Sequence, residues 1–278
     1  MKDKKNRAFL KWAGGKYKLI EDLKAKLPDG NKLIEPFVGA GSVFLNTQYP
    51  RYLLNDINPD LINLYNIVKK QADNYVKDSI ELFTAVNNAE QRYYEIRQEF
   101  NQSNDLYERA VFFLYLNRHG YNGLCRYNNS GKFNVPFGRY KAPYYPEKEI
   151  HFFAEKSQQA IFTCTSFEKV FAKARQGAII YCDPPYAPIS KTAMFNSYAK
   201  GGFTLDNQRK LADLAKRANE TRNIPVLVSN HDTEFTRDIY QGADITKLQV
   251  SRFISQNGNK RLKVAELLAL YSKNNSKT

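Results

Sequence analysis

At 278 residues the chain is long enough to bury a full core, as one large domain or as one domain carrying a sizeable insertion, and the insertion is the expected arrangement. Forty-two Lys and Arg against 28 Asp and Glu give a formal charge of +14, which points to a polyanionic partner, although ribosome association, a membrane surface or plain solubility would draw on the same charge. Three scattered cysteines (Cys125, Cys164, Cys182) and three scattered histidines (His119, His151, His231), with no C-x-x-C, argue against a disulfide framework and a zinc site; no run is apolar enough to span a bilayer, and the basic arm Met1 to Arg7 lacks an apolar h-region, so a soluble cytoplasmic protein with reduced cysteines is expected.

In chain order, Phe9-Leu10-Lys11-Trp12-Ala13-Gly14-Gly15-Lys16 sets the single tryptophan before a glycine pair and a lysine, at the head of an amphipathic run through Leu19, Ile20, Leu23 and Leu27. A tryptophan before a helix is most often a core anchor; the adjacent Gly-Gly-Lys adds the alternative that the stretch lines a ligand pocket. Leu33 to Phe37 reads as a buried strand, and Val38-Gly39-Ala40-Gly41-Ser42-Val43-Phe44-Leu45 as a glycine-rich turn opening a helix. The dinucleotide fingerprint wants a third glycine where Phe44 stands, so the turn points to an adenosine-containing ligand without a pyrophosphate. Tyr52 to Asp56 is a following strand that ends in an acid at roughly the 20-residue separation expected of a ribose-hydroxyl partner. Asp56 also fits a helix N-cap, a role that Asn58-Pro59 fills better.

From Pro59 to Asn117 the pattern is helical, with Leu61, Ile62, Leu64, Tyr65 and Val68 on one face, then Tyr93 to Phe100, then Val111 to Leu116, and it ends at His119-Gly120. Tyr121 to Lys141 has another texture: basic and aromatic residues alternate with no acids, and Asn129-Ser130-Gly131 reads as a hairpin turn between short strands. Such a loop suits phosphate contacts and base stacking, and its aromatic content disfavours disorder. After the hinge-like Ala142 to Pro146 an α/β texture resumes: Ile161 to Cys164 is a strand ending at Thr165-Ser166-Phe167, followed by a helix to Ala174. Ala187 to Phe203 has the composition of a lid, Thr204 to Arg222 is an amphipathic helix, and Val226 to Asn230 is another buried strand. Ile245 to Ile254 and Glu266 to Tyr271 form a hairpin about Asn257-Gly258, with Lys260, Arg261 and Lys263 making its tip basic; Ser272 to Thr278 is a polar tail.

Between the last helices stands the stretch that organises the chain. Ala178-Ile179-Ile180-Tyr181-Cys182 is a continuous apolar run with the pattern of a central parallel strand, and it stops at Asp183-Pro184-Pro185-Tyr186. Neither proline has an N–H, so this turn presents the Asp183 carboxylate and bare carbonyls, all acceptors, beside the flat ring of Tyr186. Acceptors next to a stacking surface suit a planar substrate with an exocyclic NH₂, such as a nucleobase. Two acceptors on its hydrogens would pull the nitrogen toward tetrahedral geometry and free its lone pair for attack on an electrophile. Taken alone, D-P-P-Y fits a proline-rich Asx turn better.

Four features in order, W-A-G-G-K, P-F-V-G-A-G, a basic-aromatic insert containing L-N-R-H-G-Y-N-G-L-C-R-Y, and D-P-P-Y, resemble the α-group of S-adenosylmethionine-dependent DNA adenine-N6 methyltransferases, most closely the bacterial Dam family that methylates adenine in GATC, over nearly the whole chain. The resemblance implies a Rossmann-like α/β fold with a mostly parallel seven-stranded sheet and a C-terminal antiparallel hairpin. Residues 1–58 and 146–278 would bind cofactor and catalyse, and an inserted helical and hairpin domain, 59–145, would recognise DNA. It implies S-adenosylmethionine at Trp12, Lys16, Glu35, Phe37, Gly39, Gly41, Asp56, Ser166, Phe167 and Asp183. A flipped-out adenine would lie at Asp183, Pro184, Pro185 and Tyr186. Double-stranded DNA would be contacted by Lys11, Tyr121, Asn122, Leu124, Arg126, Asn128, Pro136, Arg139 and Tyr140. His119 stands where relatives often carry Tyr, at the edge of the reading hairpin. The implied chemistry is direct in-line displacement on the sulfonium methyl by a monomer without metal or covalent intermediate, with Cys182 pointing into the sheet's flank; the implied mark serves DNA replication and mismatch repair. Methylation of RNA or of a protein glutamine, a restriction-modification role, and a DNA-binding regulator with an inactive fold are the alternatives.

Overall fold

The computed structural model describes residues 5–188, 202–251 and 263–273. Seven strands, β1 (Lys32–Glu35), β2 (Tyr52–Asn55), β3 (Ala160–Thr163), β4 (Ala178–Cys182), β5 (Val226–His231), β6 (Asp244–Ser251) and β7 (Lys263–Tyr271), form one sheet in the order β3-β2-β1-β4-β5-β7-β6. β1 pairs in parallel with β2 and β4, and β4 in parallel with β5, whereas β7 runs antiparallel to both β5 and β6. The order reverses between β1 and β4, and ligands of such doubly wound sheets bind beyond the carboxyl ends of the strands at that reversal. β4 is the middle strand and all five of its residues are buried, which is why its sequence runs apolar without alternation.

The chain divides into two compact units, one of Met1–Lys24, Val38–Gln48 and Asp56–Cys164, the other of Ala25–Phe37, Tyr49–Asn55 and Thr165–Thr278. Between them in sequence runs α1 (Ile20–Lys26). The first unit is built on α2 (Pro59–Ile80), α3 (Glu90–Gln102), α4 (Leu106–His119) and α5 (Glu147–Lys156). Asn58 caps α2 by accepting the N–H groups of Asp60 and Leu61 at its Oδ1, and Pro59 fills a first-turn position where no N–H is needed. α4 is apolar nearly all round because Ala110 to His119 are all buried. Phe153 of α5 closes an aromatic cluster, with ring centroids 4.6 Å from Tyr65, 5.0 Å from Phe9 and 5.8 Å from Phe44.

In the second unit α6 (Phe167–Lys173) and α7 (Leu205–Arg222) cover the sheet, joined by the short α8 (Glu234–Ile239). Ile34, Leu53, Ile180, Cys182, Val226 and Val228 pack with Phe167, Val170 and Phe171 of α6 and with Leu211, Ala212, Ala215 and Ala218 of α7. Cys182 lies fully buried in this core, on the flank of the sheet as expected. Thr204 caps α7 through the Asn207 N–H, and Thr233 and Thr236 cap α8 reciprocally.

Three differences from the sequence reading stand out. The glycine-rich turn opens only a three-residue 3₁₀ turn, Phe44–Asn46, and no helix follows, because the chain must return within a few residues to β2. The recognition hairpin has no regular strands: its antiparallel pairing consists of isolated bridges, Tyr127 with Phe133 and Gly120 with Phe137. α5 and α8 were absent from the reading; α8 is six residues long and too short to show a period. The expected lid, over residues 189–201, the hairpin turn at Asn257-Gly258 with Lys260 and Arg261, residues 1–4 of the basic arm and residues 274–278 of the tail lie outside the described residues. Among the described residues no helix is long and apolar enough to cross a membrane.

Candidate functional site

Asp183-Pro184-Pro185-Tyr186 leaves the carboxyl end of β4, one side of the reversal point. Tyr186 donates its hydroxyl to Glu266 Oε2 at 2.9 Å, and its ring meets the edge of His231 at 4.7 Å between centroids. Burial first, then the charges of Asp183 and Glu266, push the Tyr186 phenol well up, so it stays a neutral donor. His231 Nδ1 lies 2.8 Å from the Ala187 carbonyl, which fixes the imidazole that backs the tyrosine. The turn is therefore held on its sheet side, with the Asp183 carboxylate at the strand end.

On the other side of the reversal, β1 ends at the buried Glu35 and leads to Phe37. Phe37 packs on Phe167 (5.6 Å) and on Phe203 (5.5 Å), and those two rings are also 5.5 Å apart. Two residues predicted for the cofactor thus come together with a third aromatic, Phe203, that the sequence reading left in the lid. Ser166 is the residue from which α6 starts.

In the first unit the glycine turn, the tryptophan and the acid converge. Gly39 has φ +47°, and a Cβ there would stand 2.8 Å from the Trp12 indole nitrogen, so a bare backbone is required. Asp56 accepts the Gly39 N–H at Oδ2 (3.1 Å) and the Asn58 N–H at Oδ1 (3.0 Å). Burial raises the Asp56 pKa, while these backbone donors oppose the rise. An ionised carboxylate has acceptor capacity for further donors such as a pair of ribose hydroxyls. Behind the turn the Gly41 N–H is spent on the Val38 carbonyl at 2.8 Å, and the space a third glycine would open is filled by the fully buried Phe44. No helix N-terminus is presented to a pyrophosphate, so these residues fit an adenosine ligand that lacks one, as S-adenosylmethionine does. Lys16 is buried and donates to the Gly14 carbonyl at 2.8 Å. Ile57, 73% exposed beside Asp56, is an apolar surface there that the sequence reading missed. Among the described residues no group of three or more His, Cys, Asp or Glu is placed to hold a metal ion.

The residues expected to read DNA cluster at the end of α4. The Lys11 ammonium sits 3.8 Å over the Tyr140 ring and donates to the Arg118 carbonyl at 3.1 Å; burial first, then Arg118, lowers its pKa. Asn122, at φ +52°, donates its N–H to the Tyr140 hydroxyl (2.9 Å), and Tyr121 donates its own to the Pro136 carbonyl (2.8 Å). Leu124 bonds back to the Tyr121 carbonyl at 3.1 Å. Asn128 builds the turn, its Oδ1 accepting the N–H groups of Ser130 and Lys132. Arg126 is exposed and grips Asn134 twice, from Nε to Oδ1 at 2.8 Å and from Nη2 to the carbonyl at 3.0 Å. Arg139, exposed at φ +52°, pairs with Glu90 at 3.1 Å.

Side chains from the helices replace the missing ladder. Asn101 brackets Phe133, accepting its N–H and donating to its carbonyl; Tyr93 and Arg97 both donate to the Val135 carbonyl at 3.0 Å. Tyr127 donates to Asp60 at 2.7 Å, and Arg109 holds the other oxygen of that carboxylate at 2.7 Å. Asn117 clasps the Lys11 backbone on both sides at 2.8 Å, and Gly123 lies so close that a Cβ would meet Lys11 Cβ at 2.2 Å. The hairpin is thus ordered before any nucleic acid arrives.

A reversal-point sheet with an acceptor turn, an adenosine-type glycine turn and a mounted basic hairpin define an α/β methyltransferase. The D12 class N6 adenine-specific DNA methyltransferase family matches residues 12–254. Curated DNA adenine methylases are similar along nearly their whole length. That of Escherichia coli (strain K12) is 59% identical over 96% of this chain and 96% of its own. That of Vibrio cholerae serotype O1 (strain ATCC 39541 / Classical Ogawa 395 / O395) is 57% identical over 97% of both. That of Serratia marcescens is 58% identical over 96% of this chain and 99% of its own. The chain belongs to the D12 class of N6 adenine-specific DNA methyltransferases, and it methylates adenine at N6 in DNA.

Proposed function

We propose that the enzyme takes its methyl group from S-adenosylmethionine and places it on an adenine rotated out of double-stranded DNA, within GATC, acting as a monomer in the cytoplasm. The observation that carries this is the Asp183 turn, an acceptor-only edge at the reversal point with a braced aromatic ring beside it. An amine in a stacked base pair is out of reach of such an edge, and extrusion of the base exposes it. Asp183 and the Pro184 carbonyl accept the two amine hydrogens, Pro185 keeps the turn free of donors, and Tyr186 stacks on the purine. Trp12, Lys16, Glu35, Phe37, Gly39, Gly41, Asp56, Ser166 and Phe167 hold the cofactor. S-adenosylmethionine supplies an electrophilic methyl on a sulfonium, whose positive charge is lost on transfer. Residues 59–145 recognise the target; 1–58 and 146–278 bind cofactor and catalyse. Within 59–145, Tyr121, Asn122, Leu124, Arg126, Asn128 and Pro136 read or frame the site, and Arg139 and Tyr140, with Lys11, add backbone contacts.

Asp183→Ala tests the reading. Loss of one contact to the reacting group costs about 10²–10³ in rate, so single-turnover methylation should fall at least that far while duplex binding persists. Transfer of a labelled methyl group to plasmid, with every modified base mapped, is the measurement. Near-normal turnover by the variant would remove Asp183 from the mechanism, and adenines modified evenly outside GATC would remove the target assignment.

A further inference from the structure

The backbone behind the acceptor turn is gripped by two buried side-chain amides. Gln208, near the N-terminal end of α7 and 1% exposed, donates from Nε2 to the Pro185 carbonyl at 2.7 Å. Asn230 of β5, fully buried, accepts at Oδ1 the N–H groups of Ala187 (3.0 Å) and of His231 (2.9 Å). Its Nδ2 donates to Gln208 Oε1 at 2.9 Å and to the Tyr240 hydroxyl at 3.0 Å. The polarity runs one way only. Turning the Gln208 amide over would set its oxygen against the Pro185 carbonyl and its nitrogen against Asn230 Nδ2, and buried like-to-like pairs of that kind are costly.

The chemistry of the turn explains why an outside donor is needed. Two consecutive prolines remove both N–H groups by which a turn ordinarily holds itself. The Pro185 ring locks φ, so ψ of Pro185 is the soft torsion between the peptide bearing the Pro184 carbonyl and the next one. Gln208 pins the Pro185 carbonyl, and Asn230 pins the Ala187 N–H one peptide further on. We propose that Gln208 and Asn230 are positioning residues for methyl transfer, an amide relay that fixes the Pro185 and Ala187 peptides and thereby aims the Pro184 carbonyl and the Tyr186 ring at the target amine. The proposal rests on the reading of the Asp183 turn as the site that accepts the amine.

Gln208→Met keeps the length of the side chain and removes the donor. Single-turnover methylation at saturating S-adenosylmethionine should fall about 100-fold, the scale of a misplacement of about 1 Å, while KM for cofactor and duplex and the melting temperature stay close to the parent's. Gln208→Glu is measured alongside. Ionised, it turns acceptors on the Pro185 carbonyl; protonated, it donates to it. Its rate relative to the parent should therefore recover as pH falls, which a packing role would not produce. If Gln208→Met does not fold, that pH profile decides alone. Parent-like rates in both variants while Asp183→Ala is inactive overturn the relay, as does a loss that only tracks the folded fraction. Normal turnover by Asp183→Ala instead sinks the reading of the turn itself.

Discussion

His119 shows how far one residue's environment departs from its sequence setting. By position it belongs to the edge of the reading hairpin, yet it is 1% exposed, stacked on Tyr115 at 3.9 Å, with the edge of Phe83 at 4.9 Å and Nδ1 3.0 Å from the Tyr115 carbonyl. Burial, helped by the Lys11 charge and opposed by that carbonyl, brings its pKa down from 6.5 to about 4. The unfolded chain therefore binds the proton more tightly. The stability His119 confers is complete above about pH 6.5 and drains away as pH falls toward 4, about 3 kcal/mol in all for the 6.5-to-4 shift. His119→Phe keeps a buried ring that cannot titrate, so its melting temperature should fall less than the parent's between pH 7 and pH 4.5. Melting curves that drop in parallel for both proteins would show that the imidazole is not the linked group.

At the scale of elements, the hairpin divides its arginines. Arg126, held across the turn by Asn134 and next to the Tyr127–Asp60 anchor, has a fixed fork of the kind that grips guanine O6 and N7. Arg139 sits outside the bridged part, paired with Glu90, as a cation suited to phosphate. Arg126→Ala should lose about 1–3 kcal/mol of discrimination at a single base pair, whereas Arg139→Ala should weaken all sequences alike. Turnover on GATC and on each singly substituted site separates the two, and a uniform slowing by Arg126→Ala would make it a phosphate clamp. What could be read in advance follows one rule. β4, β5 and α7 were legible because their apolar periods are local, and so were the turn at Gly39 and the acid at Asp56. Gln208, Asn230, Glu266 and Asn117 were not, because each is an ordinary polar residue in sequence that gains its meaning from partners 22 to 106 residues away. The hairpin was half legible: its turn residues spoke, but the helix side chains that replace its ladder lie as much as 67 residues upstream.

Across the whole molecule the charge of +14 overstates what a polyanion can use. Arg118 is 8% exposed and bonded to the Phe9 carbonyl, Lys16 is 4% exposed, and Arg109 is spent on Asp60. Arg222 and Lys156 donate to backbone carbonyls of their own fold. The cations left for phosphate include Arg126, Lys132, Arg139 and Lys141 in a stretch, residues 121–141, that carries no acid. Each phosphate neutralised contributes about −0.9 to the log-log dependence of duplex affinity on salt. Those four alone would give a slope of about −3.6 and all fourteen net charges about −13, so the slope for non-target duplex should fall between these limits. Binding titrations over a range of salt concentrations measure it directly. A slope near zero would mean that the basic surface serves something other than nucleic acid, and one near the upper limit would mean that the internally bonded cations are released on binding, against the ordered hairpin and helix ends described above.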